Sequence, residues 1–256
     1  LSGSPANYTF ASTTYTYNGV TVENAVDSIT VTPTGAGTIT VDGTEVTSGS
    51  PSGPIALTAG VEKTITVVAT ETGKTAKTYT IKVTRALAIG DNYGGGIVAY
   101  ILQSGDPDYD SDVQHGLIAA TADQSTEIAW ITGGDTQTTF VNGTDNSGTS
   151  TDYGTGQANT NAMMGQLGYE GGAAKVCDDY SVTVGGITYT DWFLPSKDEL
   201  YKLWINRLAI GSFADNDYWS SSEGSYGNAW VQYFGNGYQY SSYKGDTYWV
   251  LAVRAF

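Results

Sequence analysis

Four short runs, SITVTP (28–33), TITV (38–41), KTITVVAT (63–70) and TYTIKVTR (78–85), alternate β-branched with polar residues. Alternation at period two sends the two sets of side chains to opposite faces of a pleated strand, a segregation no helix achieves. The turn sequences TGAG, DGTE and SGSPSGP separate the runs. Short alternating strands at this spacing specify an antiparallel β-sandwich over residues 1–86. The segment has no Trp, His or Cys, so nothing in it carries a chemical site. It is expected to fold without the rest of the chain.

YTFASTTYTYNG (8–19) and the closing TYTIKVTR resemble the cadherin-like β-sandwich modules of bacterial surface proteins. That resemblance implies a spacer or stalk. After Arg85 the texture changes: ALAIGDNYGGG (86–96) is a junction, and IVAYIL (97–102) reads as a strand. The three consecutive glycines are no phosphate loop, because a strand follows them and no GK[ST] appears. A second domain, 87–256, is therefore expected, giving a mainly β chain whose α+β second half has two helices. Residues 133–161 are mostly Gly, Thr, Asn, Asp and Ser and read as a long irregular surface loop. One helix falls within 157–179, interrupted by Gly165, Gly168, Gly171 and Gly172. The other is signalled by LPSKDELYKLWINRL (194–208). There Ser196 and Glu199 form a capping box, and Leu200, Leu203, Trp204 and Leu208 recur at helical spacing.

Charge narrows the function. Twenty-six Asp and Glu against 11 Lys and Arg argue against nucleic acid, which needs clustered cations. No apolar run approaches the roughly 20 residues of a membrane helix. No signal-peptide pattern is visible, yet Leu1 is not an initiator Met, so the chain reads as a trimmed or mature fragment and export stays open. Abundant Gly, Thr, Ser and Tyr fit a β-rich protein displayed outside the cell. Single Cys177 precludes an intrachain disulfide or a multi-cysteine metal site, and in AAKVCDDY it reads as a small buried hydrophobe. His115 borders an apolar strand without a G-x-S-x-G partner, which favours a hydrogen-bonded core residue over catalysis. Asp106, Asp108, Asp110 and Asp112 alternate in a manner that could converge on Ca²⁺. The loop lacks the glycine and closing Glu of a calcium motif, which favours a solvated acidic turn. No pair of carboxylates stands out for glycoside hydrolysis. No cofactor is expected.

The end of the chain has a different character. Residues 218–256 hold 12 of the 31 aromatic residues, and their formal charges cancel, Glu223 and Asp246 against Lys244 and Arg254. NAWVQYFGNGYQY (228–240) reads as a hairpin about Gly235-Asn236-Gly237. Trp230, Gln232 and Phe234 then share one face, Val231 and Tyr233 the other, and Tyr238 and Tyr240 lie together on the returning strand. Tyr among Ser, Gly and Asn is the composition of antibody-like paratopes, where rigid rings give contact area at low entropic cost.

DWFLPSKDELYKLW (191–204), YWSSSE (218–223), AWVQYFGNG (229–237), Lys244 and the closing AVRAF resemble a bacterial domain family with a C-type-lectin-like fold. Within it the pattern, over about 90–256, is similar to the variable proteins of diversity-generating retroelements. In those, reverse transcription randomises template adenines, and the mutated copy replaces the 3′ end of the gene. An Asn codon randomised at its two adenines yields Tyr, Ser, Gly, Asp, Thr, Val or Leu, but never Trp, Gln, Lys, Glu or Met. The resemblance therefore implies that Trp219, Glu223, Trp230, Gln232, Gln239 and Lys244 are scaffold. Gly224, Tyr226, Gly227, Val231, Tyr233, Tyr238, Tyr240, Ser242, Tyr243, Asp246, Thr247 and Tyr248 are candidate variable, ligand-binding positions. Leu251 stands where the family's ending usually has Arg, and it joins the candidates together with Trp249. Formylglycine-generating relatives need more cysteines, and the E-P-N, Q-P-D and W-N-D signatures of calcium-dependent lectins do not occur here.

The function implied is non-enzymatic binding of a protein or glycan receptor on another cell or virus, from an extracellular, cell-surface or virion location. A static surface or fimbrial adhesin with a fixed partner is the alternative. Two structural expectations follow. IVAYIL and VLAVRAF (250–256) should pair as strands. Val231, Tyr233, Tyr238, Tyr240, Tyr243 and Tyr248 should form one exposed surface, with Trp230 and Phe234 buried beneath it.

Overall fold

The computed structural model describes residues 1–133, 140–141, 148–211 and 213–256. The chain divides into two compact units, Leu1–Ala88 and Ile89–Phe256, and the described residues are mainly β with three helices.

In the first unit the strands are β1 (Thr16–Val22), β2 (Ser28–Ile29), β3 (Thr38–Val41), β4 (Thr44–Glu45), β5 (Ile55–Ala56), β6 (Glu62–Thr70) and β7 (Lys77–Arg85). Ile65 and Val67 on β6, Ile81 and Val83 on β7, and Ile39 and Val41 on β3 are all buried, as alternation requires. They form one face of a five-stranded sheet ordered β1-β7-β6-β3-β4, and the short β2–β5 ladder brings Ile29 to the same core. The sheet departs from a purely antiparallel one, because β1 runs parallel to β7. The sequence runs did not disclose β1, since its alternation is broken by a register shift between Tyr17 and Val20.

The second unit continues with β8 (Asn92–Tyr93), β9 (Gly96–Ile101), β10 (Gly116–Ala119), β11 (Ser125–Ala129) and β12 (Ile131–Thr132). Then come α1 (Gly156–Met164), β13 (Gly171–Gly172), α2 (Ala173–Asp178), β14 (Val182–Val184), β15 (Ile187–Tyr189) and α3 (Lys197–Ile210). The chain closes with β16 (Asp217–Ser225), β17 (Asn228–Tyr233), β18 (Gln239–Tyr243), β19 (Thr247–Val250) and β20 (Val253–Ala255). One sheet is ordered β20-β10-β9-β8 and a second β11-β19-β16-β17-β18. The two ends of the unit thus meet in one sheet, though not as direct neighbours. Leu117 of β10 pairs with Tyr100 on one side and with Ala255 on the other. All four residues of β10 are buried, and a strand without a polar face belongs in the middle of a sheet.

The expected helix in 157–179 is two helices. The glycines between Gly165 and Gly172 end α1 and form β13 before α2 begins, so the described residues of the second half hold three helices rather than two. Residues 156–161, expected in a loop, belong to α1, whereas 134–139 and 142–147 of that loop lie outside the described residues. On α3 the capping box is present: Glu199 N–H donates to Ser196 Oγ, and Ser196 N–H donates to Glu199 Oε2 at 2.7 Å. Leu200 and Leu203 are buried, but Leu208 is 89% exposed. Leu208 lies about 140° around the helix from Leu203, and Ile210 takes the buried place instead.

Glu199 does more than cap. It is buried, and its Oε1 accepts from Gly154 N–H at 3.0 Å, which ties the segment before α1 to the start of α3. Burial pushes its carboxyl up to about 7, against the pull of the N–H groups of Ser196, Gly154 and Gly156. Asp123, half-buried beside Tyr218, is likewise pushed up to about 6 by desolvation. A carboxyl raised in the folded state holds a proton that the unfolded chain, with its Glu near 4.3, has already released. Stability linked to Glu199 is therefore full below about pH 4.3 and lost as pH rises through about 7. The melting temperature should fall across that window, and Glu199→Gln should lower it overall while flattening the slope. An unchanged slope in thermal melts of the variant would show that Glu199 is not the titrating group.

Candidate ligand-display surface

The hairpin at the end of the chain forms where its turn chemistry predicts. Val231 pairs with Tyr240 and Gln232 with Gln239. Asn236 Oδ1 accepts from Tyr238 N–H at 2.9 Å, and Gly237 N–H donates to Tyr233 O at 2.9 Å. Gly237 has φ +83°, and a Cβ there would lie 2.4 Å from the Trp204 ring, so position 237 tolerates only glycine. Trp204 itself donates to Phe234 O at 3.2 Å, which docks the hairpin on α3.

Registers define the two faces. Trp219, Val231 and Tyr240 form one row across β16, β17 and β18, and Asp217 pairs with Tyr233 on the same face. The other face carries Tyr218, Gln232 and Gln239 in one row, and Trp230 opposite Ser241. This second face turns to α3. Lys197 Nζ sits 4.0 Å from the Trp230 ring centroid, and Gln239 Nε2 donates to Lys197 O at 2.9 Å. Phe234 is buried as expected, whereas Trp230 is only half-buried, because a lysine side chain rather than apolar core covers it.

Several candidate positions differ from expectation. Val231 is 1% exposed, because it is central in a five-stranded sheet between Trp219 and Tyr240. Leu251 is 4% exposed, in the apolar core between β19 and β20. Gly227 is buried, and its carbonyl accepts from Lys244 N–H. A Cβ at Gly224 would lie 2.9 Å from Ser241 Cβ, so little room exists for a side chain there. Tyr243 is exposed but alternates away from Tyr240, and Trp249 shares the face of Tyr218, 5.8 Å from its ring. These six do not join the tyrosine row.

The structure does bring together Tyr238, Tyr240, Ser242, Asp246 and Tyr248, and register puts Tyr233 on the same face. Tyr238, 66% exposed, stacks on Tyr240 with centroids 6.0 Å apart and planes at 16°. Tyr248 packs edge-on against buried Trp219 at 4.8 Å. Ser242 Oγ donates to Asp246 Oδ2 at 2.7 Å and lies 3.0 Å from Tyr248 OH. Tyr240 bonds to Asp217 and to Tyr248, and burial together with those bonds pushes its phenol well above the usual range. Asp217 belongs to this network although the aromatic pattern did not mark it; its position directly before YWSSSE was the available signal. Tyr226, on the β16–β17 turn, and Thr247, at the start of β19, are exposed, Tyr226 with its ring 6.2 Å from Phe140.

Beneath lies an ion pair. Lys244 Nζ is 2.5 Å from Glu223 Oε1, and both side chains have no exposed area. The ammonium also donates to Tyr226 O at 3.0 Å and lies 4.9 Å from the Trp130 ring centroid, while Glu223 Oε1 accepts from Val141 N–H at 2.9 Å. Burial pushes the Glu223 carboxyl up and the Lys244 ammonium down, each opposed by the other's charge. Trp130 N–H donates to Lys244 O at 3.0 Å, and its indole Nε1–H to Ser220 O at 2.6 Å. The pair thereby fastens the β16–β17 turn, the β18–β19 turn and Trp130 together.

The remaining sequence candidates have structural partners. His115 is half-buried with Nδ1 3.2 Å from Phe256 O. Asp106 Oδ2 accepts from Tyr100 OH at 2.6 Å and Gln103 N–H at 2.8 Å, turning it from the other acids of its loop. Among the described residues no three His, Cys, Asp or Glu side chains converge as a metal site. Cys177 is fully buried, which raises its thiol well above the ordinary value. The tyrosine row supplies phenols, a hydroxyl and carboxylates, chemistry suited to hydrogen bonding and ring contact.

Residues 1–86 match the family described as cadherin-like beta sandwich domain, and the first unit is such a sandwich. No curated protein sequence matches the chain. Among solved structures, the chain is similar to a fimbrial protein from Bacteroides ovatus ATCC 8483, with 14% identity and a TM-score of 0.41. The similarity covers 84% of this chain and 63% of that one, so this chain spans less than two thirds of the fimbrial protein.

If the ion pair anchors the turns, Lys244→Met should cost on the order of 3–5 kcal/mol, because Glu223 is left buried and unpaired. The loss should shrink toward acid pH, where Glu223 takes up a proton, and Glu223→Gln combined with Lys244→Met should recover part of it. Chemical denaturation of the single and the double variant measures this. An unchanged midpoint in Lys244→Met would remove the pair from its anchoring role.

Proposed function

We propose that the second unit is a ligand-display domain of C-type-lectin-like fold, the variable protein of a diversity-generating retroelement. The cadherin-like unit serves as its stalk. The domain acts by non-enzymatic recognition of a protein or glycan receptor, at the surface of a cell or virion. Its ligand contacts are Tyr233, Tyr238, Tyr240, Ser242, Asp246 and Tyr248, with Tyr226 and Thr247 at the rim.

One observation carries this reading. The residues that a randomised Asn codon cannot encode are the inward ones: Trp219, Glu223, Gln232 and Lys244 are buried. Trp230 and Gln239 are half-buried and held by Lys197. Of the candidate positions that such a codon can encode, Tyr226, Tyr238, Tyr243, Asp246 and Thr247 are exposed and Tyr233, Tyr240, Ser242 and Tyr248 are half-buried. A packed layer that fixes the backbone below a replaceable layer is what a display scaffold requires.

The DNA beside the gene tests it. The expected finding is a reverse-transcriptase gene and a near-identical template repeat. Its differences from the coding copy should fall at template adenines, in codons such as those for Tyr238, Tyr240 and Asp246, and spare Trp219, Glu223, Gln232 and Lys244. A repeat whose differences ignore adenine, or no repeat at all, would contradict the proposal and favour a static adhesin.

A further inference from the structure

By formal count the aromatic segment is neutral, but the fold does not leave it so. Between Arg207 and Arg254 the only cation is Lys244, which is fully buried against Glu223. Arg254 is held on another sheet by Asp191, with Nε and Nη2 donating at 2.7 and 2.8 Å. What remains beside the tyrosines is negative. Asp246 and Asp217 stand at the two ends of the chain of hydroxyls that runs through Ser242, Tyr248 and Tyr240. Asp215 is exposed two residues before Asp217.

From this charge and ring arrangement we infer that the occupant of the tyrosine face is a cationic polypeptide surface, presenting Arg or Lys to Tyr238, Tyr240, Asp217 and Asp246. The inference rests on the display reading above. An Arg guanidinium or Lys ammonium finds ring faces and carboxylates within one patch, the pairing that cation–π attraction and ion pairing favour together. Asp217 Oδ1 is buried and has no hydrogen-bond partner among the described residues, so Asp217 adds negative potential from within the row, while Asp246 stands exposed. The chain's net charge of −15 adds long-range steering of a cationic partner and repels an anionic one.

The test is selection of a phage-displayed library of random dodecapeptides on the immobilised full chain, followed by affinity measurement with the selected peptides. Selected peptides should be net positive, and binding should weaken with added salt. Tyr238→Ser should weaken binding about tenfold, as loss of a central aromatic contact does. Asp217→Asn and Asp246→Asn should each weaken it about threefold. Neutralising Asp27 and Glu45 of the first unit (Asp27→Asn with Glu45→Gln) should leave it unchanged, which separates this face from net charge. Neutral or acidic peptides that still depend on Tyr238 would overturn the cationic partner and leave the display reading standing. Equal weakening by the Asp27/Glu45 variant would also overturn it, assigning the attraction to net charge. Peptides indifferent to Tyr238, or no selected peptides, would count against the display reading and carry this inference down with it.

Discussion

The second unit depends on a charge pair that its own burial makes expensive. Glu223 and Lys244 meet with no solvent contact, and removing two charges from water costs several kcal/mol per ion before attraction offsets it. Such a pair adds little net stability, yet it penalises any arrangement that separates its members. Its members come from the ends of β16 and β18 and touch the Tyr226 carbonyl and the Val141 N–H. A slip of β17 against β18 would reverse the faces of Val231 and Tyr240 and break the pair as well. Trp130 seals the site from the far side through its own two N–H groups. The tyrosine row rests on backbone held in this way.

Local signals were the legible part. Alternation located β3, β6 and β7, the capping box located the start of α3, and Gly235-Asn236-Gly237 located the hairpin turn. Each depends on a few neighbouring residues and a single physical rule. Sequence said less where the outcome depended on distant partners. β10 entered between β9 and β20 because it is apolar on both faces, a matter of sheet order rather than of strand propensity. Period two puts Val231 on the face of Tyr233 and Tyr240, where the structure has it. It is buried because large neighbours on both adjacent strands close over it.

Charge shows the same limit from another side. A formal sum treats Lys244 and Asp246 as equals, although they stand two residues apart in sequence. The fold buries one and exposes the other, so the outward charge is negative although the formal sum is zero. The first unit, by contrast, is a cadherin-like sandwich whose buried residues are almost all Val, Ile and Leu. Its alternating runs and its strands agree apart from β1, because packing sets those residues.

The central claim is a division of labour between a fixed inner layer and a replaceable outer one. Two libraries of the full chain measure it directly, each displayed and scored by the fraction of members resistant to protease. One randomises Tyr226, Tyr233, Tyr238, Asp246 and Thr247, and the other randomises Trp219, Glu223, Gln232 and Lys244. The account predicts that most members of the first library remain folded and that almost none of the second do. Comparable losses in both libraries would contradict it.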